Sequence, residues 1–287
     1  MPLMDPRPSI QAARDAKHGV GAFNLTMIEH AEAFVAAAER ANAPLILQIS
    51  ENCVRYHGSL EPVGLAALEI ARQASVPVAV HLDHAEDVTL IHRAVELGFT
   101  SVMYDGSKLT DDDNRATTRE VVEFCHRHGV AVEAELGEIG GKDGAHAPGI
   151  RTDPQEAKKF VEDTGVDSLA VAVGSSHAMS SRDAMLDLDL VSRLAEVVAA
   201  PLVLHGSSGV SDETLSAIVQ TGVSKVNIAT YLNGVFTGAV RAYLAGDPSA
   251  LDTRKYIRCG RDAMADETYR LLGVLGAHGA ALTGVHA

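Results

Sequence analysis

Eight short runs of β-branched and apolar residues recur along this chain, each followed by a longer stretch of helical periodicity. The strand-like runs are Val20 to Asn24, Pro44 to Ser50, Pro77 to Leu82, Ser101 to Tyr104, Ala131 to Glu135, Ser168 to Val173, Pro201 to Leu204 and Lys225 to Ile228. Helical stretches lie between them over Thr26 to Asn42, Glu61 to Ala74, Asp87 to Leu97, Asp111 to His128, Pro154 to Thr164, Asp187 to Val198 and Ser211 to Thr221. Thr26 and Ser211 are N-cap candidates, Asp153 precedes a helix-opening Pro154, and Gly98, Gly129, Gly165 and Gly222 stand where helices should stop. A helix that returns the chain to the same sheet edge forces parallel pairing, and eight such units close an α/β fold of the (β/α)8 TIM-barrel type.

A doubly wound sheet would need a glycine-rich fingerprint at its switch point. Gly19-Val-Gly-Ala-Phe-Asn24 lacks the third glycine, and Gly140-Gly-Lys-Asp143 lacks the spacing and the Ser/Thr of a phosphate loop. Beyond the eighth run, Tyr231 to Leu244 and Tyr256 to His278 add helices that a minimal barrel does not need. The expectation is one barrel domain over residues 1–287, with C-terminal helices from about residue 231 onward supporting a homodimer or homotetramer.

Composition narrows the partners. Among 287 residues, 24 Lys and Arg face 38 Asp and Glu, a formal charge of −14 with no basic cluster, which argues against nucleic acid or an anionic membrane surface. No apolar run approaches a membrane span, and Met1-Pro-Leu-Met-Asp-Pro6 has no charged then apolar leader, so the expectation is cytoplasmic. Cys53, Cys125 and Cys259 are too dispersed for a disulfide framework or a thiolate zinc cage, so a metal must use other ligands.

In a barrel enzyme the reacting groups come from the C-terminal ends of the strands. Those ends here carry Asn24, Gln48 and Ser50, Asp83 and His84, Asp105, Glu135, His177, His205, and Asn227 with Thr230. His84, His177 and His205 would share one open face, and three neutral imidazoles with an open fourth position suit a catalytic zinc. Within His81-Leu-Asp-His84, alternation puts His81 and Asp83 on one face, and His84 can turn inward once the chain leaves the strand. His81 is then a core or supporting histidine, and Asp83 a proton carrier for a hydroxyl near the metal. Glu133 and Glu135 share a strand face, with Glu135 at the rim. His205-Gly-Ser-Ser-Gly209 and Asn227-Ile-Ala-Thr230 have the small residues and hydroxyls of a local phosphate site. The glycine-dense Gly137 to Gly144 reads as a mobile lid.

From Gly21-Ala-Phe-Asn24 to Asp252-Thr-Arg254, the sequence resembles the class II, zinc-dependent ketose-bisphosphate aldolases of fructose and tagatose type. The matching segments are His81-Leu-Asp-His84, Glu133-Ala-Glu-Leu-Gly137, Gly174-Ser-Ser-His177, Leu204-His-Gly-Ser-Ser-Gly209 and Val226-Asn-Ile-Ala-Thr230. The resemblance implies zinc on His84, His177 and His205, with Asp105 and Glu135 at an alternative metal position and Asp83 as acid/base at the C4 hydroxyl. It places dihydroxyacetone phosphate against Gly206, Ser207, Ser208, Asn227, Ile228, Ala229 and Thr230, with a monovalent cation (Na+ or K+) nearby. Arg254 would reach the far phosphate from a neighbouring subunit.

There are departures from the family pattern. The lid has Lys142-Asp143 where glutamate is usual, so Asp143 stands at the position of the C3 base. Ala178 replaces the usual glycine beside the cation and phosphate. Ala229 is tagatose-like, whereas Gln48-Ile-Ser50 is fructose-like, so the sugar stays open. The residues also leave open a Schiff-base aldolase at Lys225 and a sugar-phosphate-binding barrel without turnover. A metal hydrolase lacks the His-x-His pair expected on the first strand.

Overall fold

The computed structural model describes residues 3–136, 151–175 and 184–282. The order is α1 (Arg7–Ala16), β1 (Val20–Asn24), α2 (Ile28–Ala41), β2 (Leu45–Ser50), α3 (Glu51–His57), α4 (Glu61–Gln73), β3 (Val78–Ala85), α5 (Val88–Leu97), β4 (Ser101–Tyr104) and α6 (Asp111–Arg127). It continues with β5 (Ala131–Leu136), α7 (Pro154–Thr164), β6 (Ser168–Val171), α8 (Leu188–Val197), β7 (Leu202–Leu204), α9 (Asp212–Thr221), β8 (Val223–Ile228), α10 (Thr230–Gly246) and α11 (Thr253–Val274). Every strand pairs in parallel with its sequence neighbours, and β8 pairs with β1 to close the ring.

Closure hides both faces of each strand. Val78, Val80 and Leu82 of β3 belong to the large core between strands and helices, whereas Ala79 packs with Val20, Ala22 and Ile46 inside the ring. Helix α1, which the strand–helix alternation does not signal, adds Ile10 and Ala13 to that inner cluster and so stoppers the N-terminal end of the barrel. A cavity of about 150 Å³ remains there, bounded by Arg7, Ile10, Ser101, Glu133, Ser168 and Lys225.

Boundaries shifted where a local hydrogen bond outcompeted the expected one. Ser211 and Asp153 cap as expected, accepting from Thr214 N–H and from the Gln155 and Glu156 N–H groups. Thr26 does not cap α2. It precedes the helix by two residues, and its N–H donates to His30 Nδ1 at 3.4 Å, a ring one turn inside the helix. Strand β6 stops at Val171 rather than Val173, because Ala172 exchanges its backbone bonds with Thr152, whose N–H donates to Ala172 O and whose Oγ1 accepts from Ala172 N–H. Helix α11 starts earlier than expected, with Asp252 accepting from Arg254 N–H, and it ends at Val274 rather than His278, just before the left-handed Gly276. The extension is tied in by α11, which lies along α2 and α10.

His30 is 3% exposed against Phe34 and Phe236, and burial pushes its imidazole down to about 4. The unfolded chain, titrating near about 6.5, takes up the proton first, so stability drains as pH falls from that value through the folded one. Thermal unfolding of chelator-treated protein between pH 7 and 4 should show Tm falling with acidity, with a shallower fall for His30→Leu. Equal slopes in the two proteins would remove His30 from the account.

Candidate active site and metal centre

Strand β3 brings two consecutive side chains to one place. His81 and Asp83 follow Ala79 inward, and His84 should follow Leu82 outward. It does not, because the pairing of β3 with β4 slips between Leu82 and Ala85 and His84 takes a left-handed conformation, φ +49°. That conformation is uncommon outside glycine, and in a strand it marks a bulge in which two residues stand opposite one. His84 therefore turns inward beside Asp83 while Ala85 rejoins the outer core. The expectation that the strand ends before His84 is corrected: the strand runs on to Ala85, and the bulge does the turning.

Around this pair the neighbouring strand ends converge. His84 Nδ1 lies 2.7 Å from Asp105 Oδ2 after β4 and 3.9 Å from Glu135 Oε2 on β5. His205, directly after β7, has its Nδ1 3.2 Å from the same Glu135 oxygen, and its ring stands 4.8 Å from that of His84. Two donor sets result, Asp83 with His84 and His205, and His84 with Asp105 and Glu135, the ligand atoms of each lying within 4.8 Å of one another. Asp105 is steadied by Ser107, whose hydroxyl donates to Oδ1 at 2.7 Å.

Asp83 is held from two sides by amides. Asn24 Nδ2 donates to Oδ2 at 2.7 Å and Asn227 Nδ2 approaches Oδ1 at 3.5 Å, while Gln48 Nε2 donates to Asn24 Oδ1 at 3.1 Å from beneath. Burial works against its charge, but positive charge at His84, His205 and Lys225 outweighs this and takes Asp83 down to about 2. Burial disfavours charge at His205 too, and hydrogen bonding to Glu133 and Glu135 overturns it, raising the imidazole to about 9. His81, beside Ser101 and fully buried, goes the other way, to about 3, through burial and the nearby Lys225 charge. Of the two roles open to His81, the deeper one is the one observed.

Glu135 decides whether a cation fits. It is 0% exposed, and among the described residues the groups facing its carboxylate are two imidazole nitrogens, His205 Nδ1 at 3.2 Å and His84 Nδ1 at 3.9 Å from Oε2. An ionised carboxylate at that depth is expensive unless a positive charge answers it. Imidazole nitrogens and carboxylate oxygens facing one another are the donor set of a zinc site.

The remaining candidates separate into groups. Gly206 is left-handed, φ +66°, and turns the chain into Ser207-Ser208-Gly209; Ser207 Oγ donates to Asn227 O, and Tyr231 N–H donates to Ser208 Oγ at 3.2 Å. Thus the loops after β7 and β8 lie together, beside the start of α10, where Thr230 is exposed and Ser208, rather than the N-cap residue Ala229, supplies the side-chain acceptor for the first turn. Ile228 faces the outer core, which leaves only its backbone to a ligand, and Ala229 is half-buried. Ser50 uses its hydroxyl to cap α3, accepting from Cys53 N–H at 3.2 Å. Arg254 stands in the first turn of α11, its side chain 89% exposed and paired with Asp252. His177, Ala178 and Asp143, with the rest of the glycine-dense segment, lie outside the described residues. Lys225, the Schiff-base candidate, is 1% exposed and bonded to Glu133 at 2.7 Å, an ion pair rather than a free nucleophile. Ser175, which sequence reasoning left unassigned, donates to His205 O at 2.6 Å; a serine in a Gly-Ser-Ser turn carries no signal of that role.

A family model described as class II fructose-bisphosphate aldolase matches residues 6–280. The YdjI aldolase of Escherichia coli K12 is 33% identical, with 97% of this chain and 99% of that one covered at a TM-score of 0.87. A Coccidioides immitis protein given provisionally as a fructose-1,6-bisphosphate aldolase is 30% identical, with 97% and 98% covered at 0.87. The fructose-bisphosphate aldolase of Campylobacter jejuni, 22% identical with 94% and 93% covered at 0.80, shares the fold.

Zinc titrated into chelator-stripped protein should raise Tm, by an amount equivalent to about 2.7 kcal/mol at a free concentration 100 times Kd. His84→Ala should lose most of that gain. An undiminished rise in the variant would count against the cluster as the binding site.

Proposed function

This chain belongs to the class II fructose-bisphosphate aldolase family, and we propose that it reversibly cleaves a ketose 1,6-bisphosphate, of fructose or tagatose type, to dihydroxyacetone phosphate and glyceraldehyde 3-phosphate. The observation that carries this reading is the inward pair Asp83 and His84, facing His205, Asp105 and Glu135 across a buried mouth. In this reading His84, His177 and His205 hold zinc, and Asp105 and Glu135 offer it a second position. When bound, zinc supplies a Lewis acid that stabilises negative charge developing on the substrate oxygens.

The chain's own residues do the rest. Asp83, ionised at neutral pH and oriented by Asn24 and Asn227, takes the proton of the C4 hydroxyl as the C3–C4 bond breaks, leaving an aldehyde at C4. The bonding electrons remain on the three-carbon fragment, and Asp143 returns a proton to its C3. Condensation runs the same steps backwards. Gln48 supports Asn24 from below, and Ser50 borders the same rim.

The C1 phosphate settles where the loops after β7 and β8 meet, against Gly206, Ser207, Ser208, Asn227, Ile228, Ala229 and Thr230, with Ala178 and a monovalent cation (Na+ or K+) beside it. Backbone N–H groups and hydroxyls suit an anion there despite the overall negative charge. Arg254 serves the far phosphate of a neighbouring subunit in a cytoplasmic homodimer or homotetramer. The whole chain acts as one barrel domain. No helix among the described residues is long and apolar enough to cross a membrane.

Release of dihydroxyacetone phosphate should be measured from both bisphosphates before chelation, after EDTA and after zinc is returned. Activity lost and then restored is the expected result, and the ratio of rates identifies the sugar. Cleavage of neither by the zinc-loaded protein would overturn the bisphosphate reading. Asp83→Ala should lower turnover by about 10²- to 10⁴-fold with zinc still bound; full activity in that variant would remove Asp83 from the proton transfer.

A further inference from the structure

Behind the metal cluster lies a charged pair that the proposed chemistry does not use. Glu133 on β5 reaches across the ring to Lys225 on β8, a strand it does not pair with: its Oε2 accepts from Lys225 Nζ at 2.7 Å and from Ser168 Oγ at 3.3 Å. Its other oxygen, Oε1, accepts from His205 Nε2 at 3.0 Å. Glu133, Lys225 and His205 are 2%, 1% and 0% exposed, so solvent competes for none of these bonds.

A neutral imidazole has one N–H and one lone pair, and the bond made by one nitrogen decides which of them the other presents. An ionised carboxylate offers only acceptors. Once the ring gives up its second proton, as a metal ligand must, Glu133 on Nε2 keeps the remaining hydrogen there, and Nδ1, on the side of Glu135 and His84, presents its lone pair. Lys225 is the counter-charge without which a carboxylate buried this deeply would be strongly destabilising. Resting on the reading of His205 as a zinc ligand, we propose that Glu133, backed by Lys225, is the positioning residue that holds the His205 ring in its metal-binding tautomer and orientation. Supporting carboxylates of this kind change metal affinity by about 10- to 100-fold. Glutamate two residues before Glu135 is visible in the sequence, but its partner is 92 residues away on β8 and only closure of the barrel brings them together.

The test compares wild type, Glu133→Gln, Lys225→Met, the double variant and His205→Ala as full-length, chelator-stripped proteins. Zinc affinity is read by competition with a chromophoric chelator, ligand geometry by the visible absorption of the cobalt-loaded proteins, and folding by Tm without metal. Glu133→Gln, whose amide can offer Nε2 a donor, should weaken zinc binding by about 10- to 100-fold and alter the cobalt spectrum. Lys225→Met should lower the metal-free Tm by stranding the Glu133 charge. The double variant should regain much of that Tm, because no charge is left unpaired, yet bind zinc as weakly as Glu133→Gln.

Wild-type zinc affinity and cobalt spectrum in the double variant would overturn the proposal and leave the pair a purely structural bridge. Should the double variant not fold, Glu133→Gln alone decides, and unchanged affinity overturns the proposal. His205→Ala separates the two readings: zinc bound as tightly as by wild type shows that His205 is not a ligand, a failure of the underlying reading rather than of Glu133.

Discussion

Seven ionisable side chains, His81, Asp83, Asp105, Glu133, Glu135, His205 and Lys225, sit inside the closed ring of strands at 3% exposure or less. Charge at that depth persists only where another charge or a hydrogen bond answers it. Four carboxylates face one ammonium in this set, so the described interior is acidic well beyond what Lys225 offsets. The balance is uneven along the barrel axis. Toward the N-terminal end, Glu133 meets Lys225, Ser168 and His205, and its carboxyl is held far below the usual range by Lys225 and His205 despite burial. Toward the open end, Asp83, Asp105 and Glu135 surround imidazoles that must supply either positive charge or metal-binding lone pairs. A divalent cation resolves that excess, which is why the cluster reads as a metal centre from its electrostatics as well as its ligand types.

The bulge at His84 converts this reservoir of charge into a site. A regular β3 would send either Asp83 or His84 into the barrel, never both, because side chains alternate. One left-handed residue breaks the alternation and places a candidate base directly beside a candidate ligand. The strain of that conformation is held by ordinary pairing on both sides, with Leu82 against Val102 and Ala85 against Tyr104. Local strain retained within well-paired structure is common where a fold serves chemistry.

Fold class was legible because every strand of a closed parallel barrel is buried on both faces and reads as a short apolar run, while every return helix shows one apolar stripe. Helices α1 and α3 were not legible. Neither joins one strand to the next by itself, so the alternation makes no demand for them, although Ser50 and its bond to Cys53 open α3 in a recognisable way. The residues at the strand ends were legible as a group, and Asn24, Asp83, His84, Asp105, Glu135, His205 and Asn227 do converge. Their division of labour was not. Ser50 looks like a rim hydroxyl and spends its oxygen on a helix cap, while Gln48 looks like a contact residue and lies buried beneath Asn24.

By itself the sequence determined the parallel barrel and which side chains stand at strand ends, because both follow from periodicity and from the direction each strand runs. Tertiary structure alone decided which of those side chains meet, since distances between non-neighbouring strands depend on ring closure and stagger. It also decided that Lys225 is a counter-charge rather than a nucleophile, because Glu133 reaches it only across the closed interior. The inward turn of His84 belongs to the same class: a bulge is set by how β3 pairs with β4, and no property of His81-Leu-Asp-His84 taken alone specifies it.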